Sequence, residues 1–443
     1  MKYIKYICMY LVSINFIVCA YLENIPVELI QPDGTIINCF TSGDEYYHYL
    51  HDNAGYTILQ SQEDGFYYYA IKQNSNLIPS IYLVNSVNPE DVDLEKKVMI
   101  AFSEYKIRKN LYWENVEYRD APTLGTVNNL NVFIRFDEEE EFPNSRSYYD
   151  VPFNDIDGPS MLHYFKEVSY ELLTVNTFHY PDCDPSINVS YQDEYPRDYY
   201  KPYNEETNPI GYQNDNQARN REHILLKNAI EFISEEVPQD LDIDSNNDGY
   251  VDNVTFLIRG IPGAWADLLW PHRWALYSEE AYIHGLRVYD YNLNLEQGGY
   301  FTVGTLCHEF FHSLGAPDLY HYWDDVSPVA VGGWDVMDAS SDIPQSMSAY
   351  MKYKYTDWIT DLPIITIGGT YEINSLSNPF NNIYRVNSPL SNEYFVIEYR
   401  VKEGMYEINT PGGDNGILIY RVNDSLNGNG DGPPDELYVY RPN

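Results

Sequence analysis

Residues 307–318 read Cys-His-Glu-Phe-Phe-His-Ser-Leu-Gly-Ala-Pro-Asp. The spacing of the two histidines decides what this run can do. On a helix, positions i and i+4 share one face a turn apart, so His308 and His312 can bring two imidazoles to one metal ion. Glu309 follows the first histidine, where its carboxylate can reach a water on that metal. Gly315 suits the end of the helix, because glycine takes a positive φ at little cost, and Pro317 keeps the helix from resuming. The chain then turns back, and Asp318 is placed to supply a third ligand. Two imidazoles and a carboxylate suit Zn2+ with one position left open for water. Such an ion acidifies water and polarises a carbonyl, while Glu309 serves as general base and passes the proton to a leaving amine. Cys307 faces away from the metal side and reads as core.

A second cluster of oxygens spans Asp244 to Asp252. Asp244, Asn246, Asp248 and Asp252 stand at positions 1, 3, 5 and 9 of a calcium loop. Gly249 supplies the sharp turn at position 6 and the Tyr250 carbonyl is available at 7. Position 12 is Thr255 and not Glu, so this is not a full EF-hand; Asp240 or Asp242 is the candidate to complete the shell. The competing reading is an ordinary Asn/Asp/Gly loop. A bound Ca2+ would be structural here, since the loop leads into the apolar strand 254–258. Weaker candidates each have a plainer alternative. Asn427 to Asp431 reads as an acidic metal loop or a turn. His272 reads as a substrate contact or a structural histidine, and Tyr320 as an oxyanion donor or one tyrosine among 45. Cys39 reads as a thiolate cap on the zinc in a latent form or as a buried thiol. Substrate-binding residues cannot be picked out by pattern.

These groups need a scaffold. A helix is expected over Thr302 to Leu314, with others over Met161–Leu173, Gln217–Val237 and Gln345–Trp358. Buried strands are expected at Val132–Phe136, Val254–Ile258 and Leu286–Tyr291. Residues 21–95 read as short strands between turns such as Gln31-Pro32-Asp33-Gly34. Lys96, Lys97, Lys106, Arg108, Lys109 and Arg119 then form a basic island, either a solvated helix face or a protease-sensitive junction. From about Leu362 the chain returns to strands, among them Tyr394–Val401 and Gly416–Val422. The fold class is therefore α+β followed by a β domain, which stops in mid-pattern at Tyr440-Arg441-Pro442-Asn443 and is expected to be incomplete.

Composition narrows the function. The 443 residues carry 67 Asp plus Glu against 27 Lys plus Arg, a formal net charge of -40. That balance argues against nucleic acid and anionic lipid as partners, because both need clustered cations. Hydrophobic residues at 44% are too many for a disordered chain. Lys2 and Lys5 precede an apolar run ending in Val18-Cys19-Ala20, which reads as a secretory signal peptide over 1–20, too short for a comfortable membrane span. Its removal leaves Cys39, Cys183 and Cys307, so a disulfide-stapled scaffold is excluded. No stable membrane insertion is expected, and a monomer is assumed.

The stretches GTLCHEFFHSLGAPDLY (304–320), PVAVGGWDVMDAS (328–340), PQSMSAYMKYKYTDWI (344–359) and QPDGTIINCFTSGDEYYHYLHDNAGYTI (31–58) resemble the immune inhibitor A family of secreted zinc metallopeptidases. The resemblance implies a signal peptide at 1–20, a pro-segment and activation linker at 21–124, a metzincin-like zinc peptidase domain at 125–362 and a C-terminal β domain starting at 363–443. It implies His308, His312 and Asp318 as zinc ligands, Glu309 as the base, and Met337 as the methionine of the turn that floors the metal in metzincins. It also favours calcium at Asp244–Asp252. Two positions depart from the family: Phe311 stands where many members have Gly, and Asp338 where they have a small residue. Phe311 points off the metal face, so a packing change is expected without loss of zinc, whereas Asp338 changes the charge near the floor. The function expected is a secreted zinc endopeptidase made as a zymogen and acting on proteins or peptides. The rival is a catalytically inactive secreted binding or adhesive protein that keeps the peptidase fold.

Overall fold

The computed structural model describes residues 22–441 except 75, 118–119, 262–269, 298 and 324–327. The signal-peptide reading of 1–20 and the position of Arg119 lie outside the described residues. The chain is a mixture of α and β with several sheets and few helices.

The N-terminal part is a six-stranded antiparallel meander. It comprises β1 (Leu22–Ile30), β2 (Ile36–Gly43), β3 (His48–His51), β4 (Thr57–Gln60), β5 (Tyr67–Gln73) and β6 (Asn76–Leu83), paired in that order. Val27, Leu29, Ile37, Cys39, Leu50, Ile58 and Tyr69 fill a core of its own. Pro79 sits on the edge strand β6, where its missing N–H costs least. Helix α1 (Phe102–Trp113) follows and takes up Lys106, Arg108 and Lys109 of the basic island.

The middle sheet is ordered β11-β14-β10-β7-β8, with β9 (Tyr191–Gln192) pairing the end of β7. Strands β7 (Gly125–Arg135), β8 (Leu173–Tyr180), β10 (Val254–Ile258) and β14 (Asp290–Leu295) run parallel, and β11 (His272–Ala275) closes the edge antiparallel. Parallel neighbours need crossover connections. Helices α2 (Arg146–Asn154) and α3 (Met161–Val168) link β7 to β8, and α4 (Asp215–Ile233) links β8 to β10. Both faces are therefore covered, which is why all five residues of β10 are apolar or Thr and all are buried. Leu130, Val132 and Ile134 of β7 pack toward α4. Val127 and, in β8, Leu173 and Val175 pack toward α3 and α5 (Val303–Ser313). The hairpin β12 (Ala281–Ile283) with β13 (Leu286–Val288) flanks α4.

Helix α6 (Ala349–Lys354) is much shorter than the expected 345–358. Asp335 claims the preceding residues: its Oδ2 accepts the Ser348 N–H at 2.7 Å and its carbonyl accepts Gln345 Nε2 at 3.0 Å. The helix starts only at its Ser348 cap. Met161–Leu173 likewise ends early, because Tyr170 and Glu171 take φ of 60° and 64°.

The last sheet is antiparallel: β15 (Ile383–Asn387), β16 (Glu393–Arg400), β17 (Gly416–Asn423) and β18 (Leu437–Val439). Tyr394, Val396, Leu418, Tyr420, Val422, Leu437 and Val439 join the core that contains Leu306, Phe310, Phe311 and Met337. That core therefore runs across position 362. Glu398 ties the two sides together, accepting the Ala349 N–H at 2.7 Å at the start of α6 and the Tyr420 hydroxyl at 2.9 Å. Arg400 neutralises it at 2.8 Å. Among the described residues no helix is long and apolar enough to cross a membrane.

Candidate metal centre

Helix α5 carries the first two ligating candidates, and both its ends are fixed locally. The Thr302 side chain accepts the Thr305 N–H at 3.1 Å. At the other end Gly315 has φ +96°, its N–H reaches the His312 carbonyl at 3.0 Å, and the Ala316 N–H reaches the Phe311 carbonyl at 3.1 Å. This is a Schellman ending, and it swings the chain back toward the helix. A ladder of buried amides holds the helix on the sheet. Asn129 donates to Thr177 (3.2 Å), and Asn253 donates to Asn129 (2.8 Å) and Asn292 (3.0 Å). Asn292 then donates to the Glu309 carbonyl at 2.9 Å. Each amide satisfies its neighbour, so none is a buried loose end.

His308, His312 and Asp318 converge. Their donor atoms lie within 4.8 Å of one another, the one such group of three His, Cys, Asp or Glu found among the described residues. The His308 and His312 Nε2 atoms are 3.0 Å apart, and Asp318 Oδ1 is 3.1 and 3.2 Å from them. Each Nδ1 faces a carbonyl, Val336 at 3.0 Å and Ala316 at 2.7 Å. A ring that donates from Nδ1 offers a bare lone pair at Nε2 when neutral. Two lone pairs and a carboxylate oxygen turned on one point repel unless a positive charge sits there, either an imidazole's own proton or a metal ion. Donors around a tetrahedral zinc stand about 3.3 Å apart, close to what is seen. The residues present therefore fit a divalent metal.

Two more buried carboxylate oxygens have no hydrogen-bond partner here: Glu309 Oε1 and Glu45 Oε2, the latter from the turn between β2 and β3. Glu309, Glu45, His312 and Asp318 line one cavity of about 430 Å³. Burial pushes the Glu309 carboxyl up to about 8; Glu45 and Asp318 add to this and His308 opposes it. Glu45 is likewise raised by burial and by Asp318. For Asp318 burial works upward, but His312 and the bonds from both imidazoles hold its carboxyl well below the usual range. His312 is raised in turn, with burial opposing and Asp318 prevailing.

The floor and struts come from distant segments. Met337 is fully buried in the core under α5 and its carbonyl accepts the Leu319 N–H at 2.9 Å. Val336, next to it, supplies the carbonyl that orients His308. Asp338 is buried; burial lifts its carboxyl to about 7, while the N–H groups of Gly332 and Val331 pull the other way. Phe311 is buried and stacks on Trp358 with ring centroids 6.0 Å apart, off the metal face.

The remaining candidates resolve differently. Tyr320 is buried against Tyr322, with centroids 5.3 Å apart. It is Tyr322 that touches the cluster, donating its hydroxyl to Asp318 Oδ2 at 2.7 Å. The sequence reading missed Tyr322, and nothing in its spacing from Asp318 marks it outside a helix. The 427–431 loop backs the third ligand: the Asn429 N–H donates to the Asp318 carbonyl at 2.8 Å, and the Asn429 side chain donates to the Leu319 carbonyl at 2.9 Å. His272 is buried, with Nε2 3.2 Å from Glu222 and Nδ1 2.6 Å from the Trp270 carbonyl. Cys39 lies in the N-terminal sheet core, its thiol pushed up to about 12 by burial, and it is not among the groups that converge with His308. None of Cys39, Cys183 and Cys307 is in a disulfide.

In the 244–252 loop, Asp244 accepts the N–H groups of Asp248 (2.9 Å) and Gly249 (3.0 Å), and Asp248 accepts that of Tyr250 (3.0 Å). Asp252 accepts from Ser245 at 3.1 Å. Burial raises its carboxyl to about 6, with Asp244 and Asp242 adding. Gly249 has φ +90°, as the sharp turn requires. The carboxylates of this loop do not close to the spacing of the His308 group.

No family model matches the chain, and no curated protein compared with it does either.

Proposed function

We propose that the chain is a secreted zinc-dependent endopeptidase of metzincin-like type, made as a zymogen whose pro-segment lies within 21–124. The convergence of His308, His312 and Asp318 beside Glu309, on one cavity, carries this reading. Zn2+ bound there would supply Lewis-acid charge that acidifies water and polarises a peptide carbonyl.

The chain's own groups do the rest. The carbonyls of Val336 and Ala316 fix the two imidazoles, and Tyr322 and Asn429 fix Asp318. Glu309 Oε1, with no protein partner, is the group that takes a proton from water and delivers it to the leaving amine nitrogen. Met337 keeps the floor apolar. Calcium in the Asp244–Asp252 loop belongs to the same proposal as a structural ion. Substrates are proteins or peptides, and the working form is a monomer.

The test is casein cleavage by the purified chain after limited trypsin nicking, with Glu309→Ala beside it. Cleavage by the unsubstituted chain alone, stopped by a zinc chelator, is expected. Equal cleavage by Glu309→Ala refutes the role of that residue. Silence from both, with zinc bound, favours a narrow-specificity enzyme or the inactive binding protein, which small amide substrates then separate.

A further inference from the structure

Strand β11 is the edge strand of the middle sheet, and it separates two cavities. Neighbouring side chains of a strand point to opposite faces. Arg273 lines the cavity that holds Glu309, His312 and Asp318. His272 and Trp274 turn the other way, toward α4, and line a second cavity of about 110 Å³ together with Ala218 and Glu222 of that helix. Glu45 and Tyr46 border both, so the two cavities adjoin.

Tyr112 of α1 also lines the second cavity, and its ring shows what the walls accept. It lies flat on Trp274, with centroids 4.1 Å and planes 15° apart, and meets His272 edge-on at 6.1 Å. Trp274 Nε1 donates to the Tyr112 carbonyl at 2.9 Å, which fixes the indole. The Tyr112 hydroxyl is buried with no hydrogen-bond partner. Burial, with the carboxylates of Glu45, Glu222 and Glu309 adding, holds that phenol well above its usual value. Glu222 Oε1 already accepts the Tyr291 hydroxyl at 2.5 Å and faces His272 Nε2 at 3.2 Å. A buried hydroxyl without a partner destabilises, so the ring and not the hydroxyl holds Tyr112 in place.

We propose that the pocket of Ala218, Glu222, His272 and Trp274 is a substrate subsite that takes an aromatic side chain, Phe or Tyr, of the peptide being cut. The proposal rests on the endopeptidase reading and adds which substrates the enzyme prefers. The walls lie after position 124 and Tyr112 before it, so release of the segment that carries α1 bares the face of Trp274 beside the candidate metal site. An extended peptide passing β11 puts successive side chains on opposite faces. A residue held over the metal cavity therefore has a neighbour whose side chain reaches Trp274. Ring on ring gives an aromatic residue an attraction that Leu lacks.

The trypsin-nicked chain is given casein, and the cut sites are read by mass spectrometry. Phe and Tyr should recur at one fixed position relative to the cut. Two peptides differing only there, Phe against Leu, should differ about tenfold or more in kcat/KM. That ratio should fall to about one in Trp274→Leu and in Ala218→Leu, which crowds the pocket from α4, while Trp274→Phe keeps most of it. Each variant is checked for an unchanged melting temperature. No recurrent aromatic residue, or a ratio that neither substitution moves, overturns the subsite and leaves the peptidase standing. If the zinc-loaded protein cuts nothing, the endopeptidase reading falls and binding decides the pocket. Full-length Tyr112→Ala, which vacates it, should bind N-acetylphenylalaninamide about tenfold or more tighter than N-acetylleucinamide in equilibrium dialysis, and adding Trp274→Leu should erase the difference. Equal binding of the two amides overturns the pocket as well.

Discussion

The Tyr322 hydroxyl donates to Asp318 Oδ2 at 2.7 Å, while Asp318 Oδ1 faces His308 and His312. One oxygen of the carboxylate is thus held by the protein and the other is turned to the two imidazoles, where a metal would sit. The distinction matters because such outer partners set how well a ligand is aimed. Tyr322→Phe keeps the ring packing and removes only the hydroxyl. Zinc affinity should fall by about 10–100-fold, read by competition against a chromogenic chelator. An unchanged affinity would mean that the backbone alone orients Asp318.

His308→Ala should abolish stoichiometric zinc binding, because the other donors are then one imidazole and one carboxylate. Metal analysis of the dialysed protein decides it. One zinc per chain retained by that variant would refute the ligand assignment.

Phe311 separates packing from metal binding. It is buried in the core and stacked on Trp358. Phe311→Ala should cost about 3–5 kcal/mol by denaturant unfolding while binding zinc as tightly as before in native buffer. Loss of zinc from folded Phe311→Ala would show that this side chain bears on the ligands after all.

Asp338 gives a pH signature. Its folded carboxyl titrates near 7 against a reference of 3.8. The folded state therefore holds the proton more tightly than the unfolded one. The associated stability is fully present below the reference value and is lost as pH rises toward 7. Asp338→Asn cannot ionise. It should match the wild type near pH 4 and gain on it through pH 7, by on the order of 1–4 kcal/mol. A constant difference between the two across that range would contradict the burial argument.

Calcium should matter to stability and not to the chemistry. Adding excess Ca2+ to zinc-saturated, calcium-free protein should raise the melting temperature, and Asp244→Ala should remove the shift. No shift in the unsubstituted protein counts against the loop as an ion site.

The two histidines, Glu309 and Asp318 were legible in the sequence because helix periodicity and a glycine ending are local rules. Strand β10 was legible because a strand buried on both faces writes itself as an unbroken apolar run. The supports were not legible. Tyr322, Asn429 and the Asn129–Asn253–Asn292 ladder act through contacts between residues far apart in the chain, and polar residues in a strand look the same whether they face water or each other. Asn253 shows this well. As part of an Asn-x-Thr triplet it resembles a glycosylation acceptor, yet it is fully buried at the centre of the sheet. The length of α6 failed for a related reason: Asp335, ten residues or more away, competes for the backbone that propensity would have wound into helix.

The strands after position 362 share their apolar interior with α5, whereas the N-terminal sheet keeps an interior of its own. The two ends of the molecule are thus bound to its middle in unlike ways. Heating should melt the C-terminal strands and helix α5 in a single cooperative step, with no temperature at which one survives the other. The N-terminal sheet keeps most of its core to itself, so it can depart folded, but only by exposing the seam where Ile25, Tyr46, Tyr47 and Tyr49 are buried against the rest of the chain.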